Sequence, residues 1–162
     1  MSAGFTLRAA RAGDEDAILE MLWAFAQFEK LTHIFNLARD VIARDFIGPN
    51  ARVQCEVAEV DGKLAGLMIW YRTYGTFEAT PYLYLEDIYV APEYRLRGIG
   101  KAFMQRLAQH AVKEGISRID WIVLDWNAPA MEFYRRAGAK VAEEWRVCRL
   151  TGVALTELAE GR

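Results

Sequence analysis

The sequence predicts a single α/β domain built on a mixed β-sheet, and three observations support this prediction. Strand-like and helix-like runs alternate along the chain, as their apolar periodicity shows. Asp61-Gly62 separates two strand-like runs and is a strong signal for an antiparallel hairpin. The length of 162 residues suits one domain, and there are no repeats, linkers or low-complexity segments. We therefore expect residues 1–162 to form one domain.

Each predicted element has a local signal. The acids from Asp14 to Asp16 suit the first turn of a helix, and Gly48-Pro49 ends the next helix. Ile99, Phe103 and Leu107 form one apolar helical stripe. Aromatic and β-branched residues mark the strands. In chain order we expect a strand at 5–9, a helix from 13–16 onward, a helix at 37–46, strands at 53–60, 64–71 and 82–90, a helix at 99–114, a strand at 118–125, a helix at 127–137 and a strand at 139–150.

The composition is that of an ordinary globular protein, with 53% hydrophobic and 26% charged residues. A net charge of −2 gives no indication of a nucleic-acid partner. No apolar run reaches the length of a membrane span, so we expect no membrane partner. The segment from Met1 to Phe5 lacks the basic start and apolar stretch of a signal peptide, from which we expect a cytoplasmic protein.

Cysteines and histidines are few and suggest no metal site. Cys55 and Cys148 form no Cys-x-x-Cys motif and sit in strand-like runs, so we expect two buried free thiols. His33 and His110 do not have the spacing of metal ligands. We therefore expect no bound metal and no disulfide.

The turn from Arg95 to Gly100 is the most informative local pattern. It reads Arg-x-x-Gly-x-Gly between a strand and a helix. Gly98 and Gly100 let the backbone turn tightly and approach a ligand, and the helix start offers N–H groups to an anion. Arg95 and Arg97 add positive charge at the same place. The pattern predicts a phosphate or pyrophosphate site, although ordinary surface turns also look like this.

Two further features indicate chemistry. Glu86 and Asp87 are adjacent acids in an otherwise apolar strand, and their side chains point apart unless a β-bulge interrupts the alternation. The alternative is a solvated strand end. Asn127 can cap a helix that carries Tyr134 two turns later and ends at Gly138. Tyr134 is either a core residue or a functional phenol.

These motifs resemble the GNAT acyl-CoA N-acetyltransferases. Arg95, Gly98 and Gly100 match the family's Arg/Gln-x-x-Gly-x-Gly/Ala signature, and residues 126–139 are similar to its Asn-x-x-Ala-x-x-Phe-Tyr-x-x-x-Gly helix. Residues 84–87, Tyr-Leu-Glu-Asp, resemble the spermidine/spermine (diamine) branch. The resemblance implies the GNAT fold, with about six to seven strands flanked by about four helices. It also implies acetyl-CoA as co-substrate.

The resemblance implies roles for particular residues. Glu86 is the expected general base, acting directly or through a water, and Tyr134 is the expected proton donor to the leaving thiolate. The amide of Ile88 or Val90, on a strand that carries a bulge and splays from the next parallel strand, is expected to polarise the thioester carbonyl. Coenzyme A would be held by the following residues: Ile88, Val90, Arg95, Arg97, Gly98, Ile99, Gly100, Lys101, Asn127 and Tyr134.

The amine acceptor stays open between several classes. The resemblance implies that Glu29, Glu86 and Asp87 hold a polycation and that Trp145 packs on its alkyl chain. Lys30 to His33 are less acidic than a polyamine cradle requires, so a shorter diamine or a lysine-like amino acid such as thialysine is equally consistent. Acetylation of a protein lysine or N-terminus and a non-catalytic acyl-CoA sensor are the alternatives. A homodimer is implied by resemblance alone.

Overall fold

The computed structural model describes residues 4–162 in two compact units, one ending at Leu124 and the other beginning at Asp125. Residues 1–3, which begin the segment in which we expect no signal peptide, lie outside the described residues. The first unit contains β1 (Thr6–Ala9), α1 (Glu15–Phe28), α2 (Arg39–Asp45), β2 (Gln54–Val60), β3 (Lys63–Gly75), β4 (Thr80–Val90), α3 (Ile99–Lys113) and β5 (Ile119–Asp120). The second contains α4 (Ala128–Arg136) and α5 (Gly152–Ala159). Within residues 4–162, no helix combines the length and apolarity that a membrane span needs.

The sheet of the first unit is mixed, as predicted. Its five strands lie in the order β1-β2-β3-β4-β5, and all pairs are antiparallel except the parallel pair of β4 and β5. The predicted hairpin connects β2 to β3. Asp61 and Gly62 at its turn have φ angles of 48° and 77°, the left-handed values that this kind of tight hairpin turn requires.

Helices cover both faces of this sheet. On one face, Phe103 and Leu107 of α3 are fully buried in a core with the strands. On the other face, Ile18 of α1 and Ile42 of α2 are fully buried in a second core. The apolar stripe predicted for 99–114 is therefore the buried face of α3. Each face of β4 consequently has a different helix as its neighbour.

The predicted number of strands was too high, because the strands near the C-terminus are short or missing. The predicted strand at 118–125 pairs only at Ile119 and Asp120. Residues 139–150 form no strand, and every residue from 140 onward is exposed. The backbone N–H and C=O groups of a strand need hydrogen-bond partners on a neighbouring strand. A β-like sequence alone does not provide that neighbouring strand. Trp145, expected to contact the substrate, lies in this segment with 76% of its surface exposed.

Two further expectations for the C-terminal part need correction. Helix α5 was not predicted, although Leu155 and Glu157 within it are good helix formers. Cys148 is exposed rather than buried, because the strand expected to bury it is not formed. Cys55 on β2 is buried as predicted. Burial raises the pKa of its thiol to about 12, so it stays protonated and unreactive at neutral pH.

Gly66 on β3 allows β4 and α3 to approach closely. A Cβ at this position would lie 2.6 Å from the Tyr89 carbonyl oxygen and 3.3 Å from the Phe103 ring. We expect Gly66→Ala to destabilise the protein by about 3 kcal/mol, because the backbone of β4 must move to admit the methyl group. The midpoint of urea unfolding measures this cost.

The matched control for this substitution is Gly4→Ala, because a Cβ at Gly4 meets no atom within 4 Å. This variant should unfold at the wild-type urea concentration. Equal midpoints for Gly66→Ala and wild type would contradict the close packing of β3 against β4.

Candidate active site

A β-bulge in β4 sets the direction of the adjacent carboxylates. On β3, Ile69 pairs with Asp87, whereas the next residue, Trp70, pairs with Leu85. Glu86 is therefore an extra residue of β4 at this point, and the alternation of side chains shifts by one. The bulge that the resemblance implied is present in this strand.

The packing of β4 shows the same shift. Leu85 is buried in the core beneath α3, and Ile88 and Val90 pack against the same core. In an uninterrupted strand, Leu85 and Ile88 would lie on opposite faces. Tyr89 packs instead in the core beneath α1. Asp87, two residues before Tyr89, therefore lies on the α1 face of the sheet.

Glu86 is exposed at the bulge, and its negative charge acts on the Tyr71 phenol of the neighbouring strand. Tyr71 is on β3 and pairs with Tyr84 on β4, and the two rings stack with centroids 5.3 Å apart. Burial, followed by the charge of Glu86, raises the pKa of Tyr71 to about 12. The Tyr71 phenol therefore stays protonated and remains a donor at neutral pH.

Three carboxyl groups influence one another at this position. Burial, followed by the negative charges of Glu86 and Glu29, raises the pKa of Asp87 to about 7. Glu29 is the residue at the end of α1, and burial raises its own pKa as well. A bound cation would favour the ionised forms and reverse both effects. The structure thus brings together the three acids that we expected to contact the amine.

The raised pKa of Asp87 has a consequence for stability that depends on pH. The folded chain holds the Asp87 proton up to about pH 7, whereas the ordinary pKa is 3.8. The stability that this group contributes is therefore complete in acid and is lost as the pH rises through about 7. Asparagine cannot ionise, so Asp87→Asn should raise the melting temperature at about pH 8, and the gain should shrink toward about pH 5.

Thermal melts of Asp87→Asn and wild type at these two pH values test the prediction. Asp61→Asn is the control, since Asp61 is exposed in the hairpin turn and asparagine suits its left-handed backbone. Its melting temperature should differ from wild type by the same small amount at both pH values. A gain for Asp87→Asn that does not depend on pH would contradict the raised pKa.

One edge of β4 is open beyond its midpoint. β5 pairs only with Leu83 and Tyr84, and in the described part of the chain no strand pairs with β4 on that side from Leu85 to Val90. The pairing of the parallel strands therefore stops at Tyr84, where β5 ends, and the splay that the resemblance implies stays a prediction.

Two backbone amides point into this opening. The amide of Ala91 donates to the Ala65 carbonyl oxygen on β3 at 3.0 Å. Because successive amides of a strand point to opposite edges, those of Val90 and Ile88 point away from β3. They are the two amides that we expected to contact the thioester carbonyl.

The turn before α3 has the conformation that its glycines predict. Gly98 precedes the helix with φ at 87°, and no side chain caps the helix start. The N–H groups of Ile99, Gly100 and Lys101 belong to the first turn, whose amides have no acceptor within the helix. The positive end of the helix dipole lies at these same first-turn amides. This geometry suits an anion such as a pyrophosphate.

The two arginines of the turn make backbone contacts. Arg95 Nε donates to the Val90 carbonyl oxygen at 3.0 Å, and its guanidinium lies 5.8 Å from the centroid of the Phe28 ring. Arg97 donates to the Glu93 carbonyl oxygen at 3.1 Å. Arg95 thus links the turn to the end of β4 and to the end of α1.

In the second unit, α4 begins and ends as predicted. Asn127 caps it, because its side-chain oxygen accepts from the Ala130 amide at 3.3 Å. Gly138, with φ at 92°, follows its last turn. Tyr134 is buried, and its ring centroid lies 5.3 Å from that of Phe133.

Comparison with known families identifies the chain. The model of the acetyltransferase (GNAT) family matches residues 16–139. The chain belongs to this family. It is a GNAT N-acetyltransferase, and GNAT enzymes take the acetyl group from acetyl-CoA. The sequence resemblance to this family is thereby confirmed.

Several relatives of this GNAT chain carry names that state a function. A thialysine N-epsilon-acetyltransferase of Sus scrofa is 35% identical over 97% of this chain and 98% of its own length. An L-ornithine N5-acetyltransferase of Arabidopsis thaliana is 45% identical, over 59% of this chain and 42% of its own length. A spermidine/spermine N(1)-acetyltransferase-like protein of Homo sapiens is 32% identical over 96% of this chain and 24% of its own length.

Solved structures agree on the fold. An integron cassette protein of V. cholerae has a TM-score of 0.75 and 22% identity, covering 97% of this chain and 98% of its own. The aminoglycoside acetyltransferase meta-AAC0020, solved with trehalose, also has a TM-score of 0.75, at 16% identity over 93% of this chain and 97% of its own. At these identities the likeness establishes the GNAT fold.

Tyr71 is the site residue that sequence reasoning missed. Glu86, whose charge raises the pKa of Tyr71, is distant in sequence, and no local pattern in β3 marks the two residues as neighbours. Only the register of β3 against β4 brings the phenol to the bulge. Among residues 4–162, no group of three or more His, Cys, Asp or Glu side chains is arranged to hold a metal ion.

Proposed function

We propose that this GNAT enzyme acetylates a primary amine of a small molecule: a diamine, a polyamine or a lysine-like amino acid such as thialysine. The observation that carries the proposal is the cluster of Glu29, Glu86 and Asp87 on the α1 face beside the bulge. Burial, followed by the negative charges of Glu86 and Glu29, raises the pKa of Asp87, so part of this effect is repulsion between the acids. An alkylammonium substrate supplies the positive charge that relieves this repulsion.

In the proposed reaction, the amine attacks acetyl-CoA directly. An alkyl amine with a pKa of about 10.4 is protonated at neutral pH and must first lose a proton. Glu86 accepts that proton, directly or through a water. The amide of Ile88 or Val90 stabilises the negative charge that develops on the thioester oxygen.

Departure of the thiolate completes the transfer. Tyr134 gives a proton to the leaving sulfur, whose conjugate acid has a pKa of about 8.5. The turn residues Arg95, Arg97 and Gly98 to Lys101, together with Asn127, would hold coenzyme A. No covalent enzyme intermediate is needed. Cys55 is excluded as a nucleophile because burial raises the pKa of its thiol to about 12.

The functions that the relatives' names state support a small acceptor. Thialysine, ornithine and spermidine each carry at least two amino groups. The names of the first two relatives specify acetylation of one of them, and the third is named as a spermidine/spermine N(1)-acetyltransferase-like protein. An acidic cluster suits such acceptors, because it can hold one ammonium while another nitrogen reacts. Trp145 would then pack on the alkyl chain, as the resemblance implies.

Thiol release from acetyl-CoA tests the proposal. The panel of acceptors contains putrescine, spermidine, spermine, lysine, ornithine, thialysine and a peptide with one lysine. Turnover with a free diamine or a lysine-like amino acid would support the proposal and name the acceptor class. Turnover with the peptide alone would favour a protein acetyltransferase. Binding of acetyl-CoA without turnover of any acceptor would contradict the proposed acceptor class.

The resemblance also implies a homodimer, and the lack of a signal-peptide pattern led us to expect a cytoplasmic protein; we carry both forward as proposals. Analytical ultracentrifugation of the purified chain measures the first, since a dimer has twice the 18.5 kDa mass of one chain. A single species of one-chain mass at assay concentration would contradict it.

A further inference from the structure

A buried carboxylate of β2 lies beneath α3, on the face of the sheet opposite Asp87. The side chain of Glu56 is only 6% exposed, and its strand partner Met68 belongs to the apolar core under α3. Arg106 of α3 donates from Nε to one oxygen of Glu56, and His110 Nε2 lies 2.6 Å from the other oxygen. A carboxylate can only accept hydrogen bonds, so His110 carries a proton on Nε2. Both oxygens of Glu56 are therefore bonded to the same helix.

The C-terminal half of α3 makes further contacts of this kind with the sheet. The ring of His110 packs on Trp70 of β3, with centroids 5.1 Å apart. Arg72, also on β3, donates from Nε at 2.9 Å to Glu114, the residue that follows α3. The buried residues in the first two turns of α3 are apolar. The two halves of the helix are thus held to the sheet by different kinds of contact.

We propose that Glu56, Arg106 and His110 form an anchor that fixes α3 along and about its own axis, and thereby positions the first-turn amides that bind coenzyme A. The inference rests on the proposed function, in which the turn before α3 and these amides hold coenzyme A. The three residues of the α3 anchor do not touch coenzyme A in this proposal. They are positioning residues that act through the helix.

The geometry of the α3 anchor restricts both sliding and rotation. Arg106 and His110 are four residues apart, so they lie on the same side of the helix, about 6 Å apart along its axis. A helix that slides or turns moves both donors relative to one carboxylate, and hydrogen bonds weaken steeply with distance and angle. Apolar contacts are not directional. A buried ion pair often adds little net stability, and fixing one register among alternative packings is the best-supported role for such groups.

The start of α3 is close enough to respond to the α3 anchor. Arg106 is seven residues after Ile99, which is about 10 Å along the helix. The Ala102 amide donates to the Gly98 carbonyl oxygen at 2.9 Å, which joins the glycine turn to the body of the helix. A displacement at the α3 anchor therefore reaches the amides of the first turn. The hydrogen bonds that they would donate to a pyrophosphate depend on distance and angle in the same steep way.

The substitution Glu56→Gln removes the charge of the α3 anchor and keeps the size of the side chain. We expect the dissociation constant of coenzyme A, measured by calorimetry, to rise about threefold to thirtyfold. The KM for the amine at saturating acetyl-CoA should stay at the wild-type value, because Asp87 lies on the other face of the sheet.

Glu59→Gln is the matched control. Glu59 lies on the same strand, but it accepts a hydrogen bond from Arg8 of β1 at 2.9 Å rather than from α3. This variant should bind coenzyme A as wild type does, even if its melting temperature falls. Equal losses of affinity in Glu56→Gln and Glu59→Gln would overturn the inference, because they would reflect a general loss of stability.

Two substitutions of His110 separate the hydrogen bond from the packing of the ring. His110→Phe keeps a ring against Trp70 and removes the N–H group, whereas His110→Gln keeps an N–H donor and removes the ring. His110 is partly exposed, so both variants should fold even if Glu56→Gln does not. We expect coenzyme A to bind more weakly to His110→Phe than to His110→Gln. Equal affinities or the reverse order would overturn the inference.

A third measurement reports the position of the helix start without any ligand. Labelling with ¹⁵N-glycine restricts the spectrum to the 12 glycines of the chain, of which Gly98 and Gly100 lie at the start of α3. Their amide signals should shift in Glu56→Gln and in His110→Phe and should keep their positions in Glu59→Gln. Unchanged signals in all three variants would show that the helix start does not respond to the α3 anchor, and the inference would fail.

The outcomes separate this inference from the proposed function. If the wild-type enzyme binds coenzyme A but acetylates no amine of the panel, the proposed acceptor class fails and the binding data still decide the inference. If the wild-type enzyme acetylates an amine and both Glu56→Gln and His110→Phe bind coenzyme A normally, the inference fails and the proposed function stands. If the wild-type chain does not bind coenzyme A, both fail.

Discussion

Replacing Glu86 by glutamine should lower kcat for acetyl transfer by about 10²–10⁴-fold, the usual contribution of a general base. Glutamine keeps the size of the side chain at the bulge but cannot accept the proton of the ammonium. The affinity for acetyl-CoA should stay at the wild-type value, because the amides of the turn before α3 are unchanged. Steady-state kinetics with the best acceptor of the panel, together with calorimetric titration of acetyl-CoA, measure the two effects.

Two further variants test whether a loss of rate in Glu86→Gln is specific to Glu86. Glu20→Gln changes an exposed acid of α1 and should leave kcat unchanged. Asp87→Asn tests the neighbouring acid, which lies on the same face and whose pKa of about 7 also suits a base. If Asp87→Asn loses far more rate than Glu86→Gln, the assignment of the base to Glu86 is wrong and Asp87 takes its place.

Replacing Tyr134 by phenylalanine should lower kcat by about 10²–10⁴-fold, since the thiolate would leave without a proton donor. The ring that packs beside Phe133 is kept, so α4 should remain folded. The dissociation constant of acetyl-CoA should change little, because the substitution removes one oxygen atom. The variant therefore separates loss of chemistry from loss of binding.

The control for this variant is Tyr74→Phe, which removes a hydroxyl from a residue with 58% of its surface exposed on β3. It should behave as wild type in both assays. A Tyr134→Phe enzyme with undiminished kcat would show that the thiolate leaves without this phenol. A weakened affinity for acetyl-CoA with the same kcat would assign Tyr134 to binding alone.

The sequence predicts well those elements whose signals are local. The hairpin at Asp61-Gly62 and the glycine turn before α3 have the positive φ angles that only a few residue types adopt readily. Asn127 marks the start of α4, and its side chain does form the cap. In each case a residue type determines the backbone conformation at its own position, so no tertiary information is needed.

Features that depend on pairing between distant strands could not be predicted in the same way. The segment at 139–150 has a β-like composition but forms no strand, and the exposure of Cys148 follows from that. The position of Tyr71 opposite Tyr84 and near the bulge depends on the register of β3 against β4. The bulge itself was inferred from the family resemblance, because alternation along β4 alone places adjacent acids on opposite faces.

The bulge at Glu86 also bears on how such a site can arise. The ladder before it, up to Leu85, and the ladder after it, from Asp87, are each regular against β3. Removing Glu86 would join two segments that already have the correct alternation, and the amides of Ile88 and Val90 would keep their direction. A single inserted codon is therefore enough to add an acid to a finished sheet without redirecting its neighbours. In this strand, a new functional group can be gained or lost without redesigning the scaffold.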